Sequence, residues 1–78
     1  MKTYLEELEE SMTMFGYAST AGDYNMACTH ASWLLEQKPP KSMTPEERQL
    51  AIELCYKVGN HSLLKVLLQL NNSDTTTA

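Results

Sequence analysis

No run of apolar residues in this chain approaches the roughly 20 that a membrane-spanning helix requires. Cysteine is scarce: Cys28 and Cys55 lie far apart, each inside a helical apolar pattern where a free thiol packs as a small hydrophobe. That usage fits a reducing compartment. The first residues, Met-Lys-Thr-Tyr-Leu-Glu-Glu, carry acids where a signal peptide needs its apolar segment, so a cytoplasmic protein is expected. Basic residues are few, six against ten acidic, and residues 1–36 hold a single lysine against six acids, while residues 37–78 hold five bases and four acids. An acidic front half repels phosphate and argues against general nucleic-acid affinity. Also missing are a glycine-rich phosphate loop, a Gly-x-Ser-x-Gly elbow and any pair of carboxylates placed to work together, so no enzymatic activity and no cofactor are expected.

The 78 residues present make one small domain, expected over residues 1–72, with a total stability of about 4 to 12 kcal/mol. A chain this short buries a small fraction of its surface, which gives leftover apolar residues a reason to seek a protein partner or a second copy.

Periodicity predicts four helices. Thr3 can cap the first, with Glu6 and Glu7 at the positive end of its dipole and Leu5, Leu8, Met12 and Phe15 as its buried stripe. Gly16 lowers helix preference and leaves room for a kink or break, yet residues 17–21 can continue the segment to a bend expected at Gly22, where Gly22 supplies a left-handed residue and Asp23 caps the next helix. Tyr24, Ala27, Cys28, Ala31, Leu34 and Leu35 then form an inner face, and Pro39 and Pro40 stop the helix at about Gln37. Thr44-Pro45-Glu46-Glu47 combines an N-cap, a proline at the first helical position and a glutamate able to close a capping box, so the third helix begins at Pro45. Its stripe is Leu50, Ala51, Leu54, Cys55 and Val58, and Gly59 ends it. Ser62 or Asn60 caps the fourth, which is apolar on most sides over residues 63–70 and so is expected to be central or half covered by another chain. Residues 73–78 have nothing to bury and read as a disordered tail.

Two candidate surfaces emerge. Met26, His30 and Trp33 make a second stripe on the second helix, serving either as core against the third or fourth helix or as an interface anchor of the kind Trp and Met supply. Leu64, Leu67, Leu68 and Leu70 make the other. A metal site is not supported: Cys28 and His30, two apart on one helix, project about 200° from each other and cannot hold one ion. A DNA-reading helix-turn-helix around Gly59 would place Lys65 at a buried aliphatic position and offers a leucine helix where groove-reading polar residues are needed.

Gly22-Asp23-Tyr24, Ala27, Leu35-Glu36 and Pro39 resemble the second half of a tetratricopeptide repeat over about 18 residues. Gly59-Asn60 and the leucine-rich run that follows are also similar to an ankyrin repeat. The resemblance implies an all-α fold of two helix-turn-helix hairpins and a non-enzymatic role as an adaptor or chaperone holding an amphipathic helix. At class level the chain resembles the small chaperones that guard needle subunits of bacterial type III secretion. Two other readings stand beside it: a small phage or mobile-element inhibitor docking on a host enzyme, and a dimeric helical DNA-binding regulator.

Overall fold

Three threonines and an asparagine start the four helices. The Thr3 hydroxyl accepts from the Glu6 amide at 3.1 Å while the Glu6 carboxylate accepts from the Thr3 amide at 2.9 Å, a reciprocal cap that opens α1, Tyr4–Tyr17. Thr20 accepts from the Asp23 amide at 3.1 Å and opens α2, Ala21–Gln37. Thr44 and Glu47 repeat the reciprocal cap, at 3.2 and 2.8 Å, with Pro45 in the first position of α3, Pro45–Val58. The Asn60 side chain, rather than Ser62, takes the Leu63 amide at 3.1 Å and opens α4, His61–Thr76. A single 3-10 turn, Pro40–Ser42, carries the chain from α2 to α3. These elements come from a computed structural model that describes residues 1–76, with side chains as far as Asn72. Of the tail expected at 73–78, the side chains, and for the last two residues the backbone too, lie outside the described residues. Among the described residues the protein is all-α, and its helices form two consecutive helix-turn-helix pairs.

The first turn differs from the sequence expectation. The chain leaves the helix at Ala18, in extended conformation, and Gly22 sits inside the first turn of α2 with Asp23 one residue further in. The reason is local competition: Thr20 reaches the Asp23 amide and takes the capping role, so Gly22 needs no left-handed geometry. Among the described glycines Gly59 alone has positive φ. At φ 74°, ψ 26° it lets its own amide and that of Asn60 both donate to the Cys55 carbonyl, at 2.8 and 3.0 Å, which ends α3. α1 runs through Gly16 to Tyr17 without a break.

The centre of the molecule is α3, not α4 as the leucine content suggested. α3 packs against α1, α2 and α4, whereas α4 leans on α3 and the 3-10 turn. Ala51, Ile52, Leu54 and Cys55 are buried on a broad sector of α3, and Leu8, Phe15, Ala27, Ala31, Leu34, Leu35, Met43, Leu64 and Leu67 close the core around them. Met43 is buried because the 3-10 turn folds the linker back onto the helices. α4 therefore buries one side only and leaves Val66 and Leu68 exposed.

Polar tethers fix how the helices meet. The Tyr4 hydroxyl donates to the Leu34 carbonyl at 2.7 Å and the Tyr24 hydroxyl to the Lys57 carbonyl at 3.1 Å, so α2 is tied to α1 near its end and to α3 near its start. Phe15 and Tyr24 meet edge to face at 5.3 Å between ring centres, which sets α1 and α2 antiparallel. Lys38 reaches across the linker to the buried Glu47 at 2.8 Å and lies 5.3 Å above the Tyr4 ring.

Candidate binding groove on the first hairpin

Small residues face inward on the first hairpin: Ser11 of α1 and Ala27 and Ala31 of α2 are all fully buried. On α2 the core face centres on Ala27, Ala31, Leu34 and Leu35, while Met26, His30 and Trp33 lie about 120° round the helix. They face away from the body of the protein. Met26 is 66% and Trp33 52% exposed, which assigns the stripe to the surface and not to contact with α3 or α4.

That stripe forms one side of a groove. Met26, His30 and Trp33, with Asn25 and Thr29, join Met14 of α1 around an open depression of about 550 Å³. A second depression of about 300 Å³, lined by Met14, Tyr17, Ala18, Asp23 and Met26, continues it toward the α1–α2 turn. Met14 and Met26 line both, so the two are one trough. From Asp23 to Trp33 it follows ten residues of α2, about 15 Å at the helical rise. Tyr17, 82% exposed, stands at its end beside the turn.

Its polar features are few. His30 is partly buried with its ring centre 6.4 Å from that of Trp33, and its Nδ1 is shut off from solvent without a hydrogen-bond partner. Glu10 of α1 lies near His30 and forms an exposed ion pair with Lys2; the hydrogen bond and charge of Lys2, and more weakly His30, hold the Glu10 carboxyl below its usual range. At the other end Asp23 lines the trough, its carboxylate 3.5 Å from both the amide and the hydroxyl of Ser19.

The residues singled out by periodicity divide. Met26, His30 and Trp33 lie together on the outside of α2, one of the two placements left open by the sequence. Leu64 and Leu67 do not belong to a surface: both are buried, Leu67 at 0% exposure, because they are the side chains that α4 packs against α3. Leu68 is exposed and Leu70 half-buried at the margin of that contact. Met14 and Tyr17 were missed. Their signal was present as a helical row, Glu7, Glu10, Met14, Tyr17, running beside the buried stripe of α1.

Reactive groups lie elsewhere. Cys55 is buried and burial pushes its thiol up to about 11, far from the thiolate form a nucleophile needs. Burial first, and then the nearby Glu47 and Glu7 charges, push the Tyr4 hydroxyl up to about 12, leaving it the proton it donates to Leu34. Among the described residues no three of His, Cys, Asp and Glu stand close enough to hold a metal ion, and no helix is long and apolar enough to cross a membrane. Comparison with protein-family models, with curated proteins and with solved structures finds no match to this chain.

Proposed function

We propose that the protein is a non-enzymatic adaptor or chaperone, working in the cytoplasm, whose α1–α2 face holds an amphipathic helix of a partner protein. The observation that carries this reading is the continuous apolar trough from Tyr17 to Trp33, walled by both helices of the first hairpin. Its length of about 15 Å accommodates close to three turns of a docked helix, enough for anchors at i, i+3 or i+4, and i+7. Met14 and Met26 supply flexible, polarizable surface that adapts to varied side chains, and Trp33 supplies a large anchor. The resemblance of residues 22–39 to a tetratricopeptide repeat and the class-level similarity to secretion chaperones point the same way.

The test is capture of partners from the source cell by wild-type protein and by three variants. Trp33→Ala and Met26→Asp are expected to lose a protein that wild type and Val66→Asp both retain, with each variant's melting temperature within a few degrees of wild type. A captured set unchanged by Trp33→Ala and Met26→Asp would remove the groove from the function. A fall in stability with no fall in capture would assign Trp33 to the fold instead.

A further inference from the structure

We propose, building on the helix-binding reading above, that the occupant of the trough is a cationic amphipathic helix, with lysine or arginine flanking its apolar face at both ends. The hairpin that forms the trough has a one-sided charge. Residues 3–37 contain no lysine or arginine but six carboxylates: Glu6, Glu7, Glu9, Glu10, Asp23 and Glu36. Every lysine and arginine of the protein lies outside that span, and those nearest are engaged: Lys2 pairs with Glu10, Lys38 with the buried Glu47, and Lys57 sits 5.9 Å from the Phe15 ring.

Two of the six acids bracket the trough. Asp23 lines the end beside the turn, and Glu10 lies one helical turn before the trough residue Met14 on α1, toward the other end. Glu10 lies seven residues before Tyr17, which shares the turn end of the trough with Asp23, so about 10 Å of α1, two helical turns, separates Glu10 from that end. A partner helix with apolar residues in the trough and cations about seven positions apart meets both. Lys2 now pairs with Glu10, but both side chains are about half exposed, so water and salt screen the pair and an incoming cation can displace it. The same field excludes competitors. Nucleic acid and acidic helices are repelled, and a second copy presenting this same face would set carboxylates against carboxylates.

Trp33 is the only tryptophan and lines the trough, so its emission reports occupancy directly. The experiment uses the full chain and three synthetic helices that share one leucine face and differ only in flanking residues: lysine, glutamine or glutamate. The lysine helix is expected to shift Trp33 emission to the blue and to bind about tenfold more tightly than the glutamine helix, and the glutamate helix least. Raising salt from about 50 to about 500 mM should bring the lysine helix down to the glutamine one, and the double variant Glu10→Gln, Asp23→Asn should do the same at low salt. Equal binding of the lysine and glutamine helices would overturn the charge assignment while leaving helix binding intact. No Trp33 response to any of the three would overturn the helix-binding reading itself. A chain that sediments as a dimer with Trp33 already blue-shifted would name a second copy as the occupant and overturn the proposal.

Discussion

Glu47 offers a quantitative test of how the hairpins are joined. Its carboxylate is buried, accepts from the Thr44 amide at 2.8 Å and from Lys38 at 2.8 Å, and thereby ties the linker to the start of α3. Burial alone would push this carboxyl up; the Lys38 and Thr44 hydrogen bonds and the Lys38 charge outweigh it and hold the pKa below the usual 4.5. Glu47→Gln keeps the shape and the cap but turns the bond from the Thr44 amide into a neutral one and the Lys38 ion pair into an ion–dipole bond, a loss of about 1 kcal/mol each. Lys38 is 31% exposed, which screens its share, and glutamine is less costly to bury than a carboxylate. The net expected loss at neutral pH is about 1 kcal/mol, or about 4 to 8 °C in Tm for a domain of this size. Lys38→Met should cost more, about 2 kcal/mol, because it leaves the charge buried without its counter-ion.

The pH dependence follows from the direction of the shift. A carboxyl whose folded-state pKa is depressed contributes fully above its unfolded value, near 4.5, and loses that contribution as pH falls through the folded pKa. The stability gap between wild type and Glu47→Gln should therefore be open near pH 7 and should narrow progressively as pH falls below 4.5 in paired urea titrations. Glu6 and Glu10 are also held low, by the Thr3 cap and by Lys2 respectively, but they act equally in both proteins and cancel in the difference. A Glu47→Gln protein as stable as wild type at neutral pH, or a gap unchanged in acid, would refute the role given to this carboxylate.

Two further perturbations address the turn chemistry and the buried side of α1. Gly59→Ala should cost about 1 to 2 kcal/mol because alanine resists its left-handed conformation, whereas Gly22→Ala, with only Thr20 Oγ1 at an ordinary 3.8 Å, should be neutral or stabilising by up to about 0.5 kcal/mol. Denaturant midpoints decide between them, and a comparable loss at Gly22 would return the bend to that residue. Ser11→Ala removes a buried hydroxyl that has no hydrogen-bond partner and should raise stability by about 1 kcal/mol in the same assay; a loss would show that the hydroxyl is bonded in the fold.

What could be read from the sequence was what is decided within one turn of chain. Thr44-Pro45-Glu46-Glu47 fixed the start of α3 because each capping partner is three residues away, and Gly59 fixed its end because its geometry is intrinsic. Gly22 misled because Thr20, two residues earlier, competes for the same turn and wins. α4 misled because composition shows how much apolar surface a helix has, not how many neighbours reach it. The burial of Glu47 and Met43 depends on the fold of the linker, which no local period encodes. The site divides in the same way: Met26, His30 and Trp33 share one helix and were visible as a stripe, while Met14 and Tyr17 join them only once α1 has docked in register.

Helix binding by the outer face of α1 and α2 is the proposal on which the others rest. Amide chemical shifts of isotopically labelled protein, followed during titration with the lysine-flanked helix, test it most directly. The largest changes are expected at Met14, Tyr17, Met26, His30 and Trp33, with the amides of α4 little changed. Changes centred on Val66 and Leu68, or spread evenly over the surface, would contradict it.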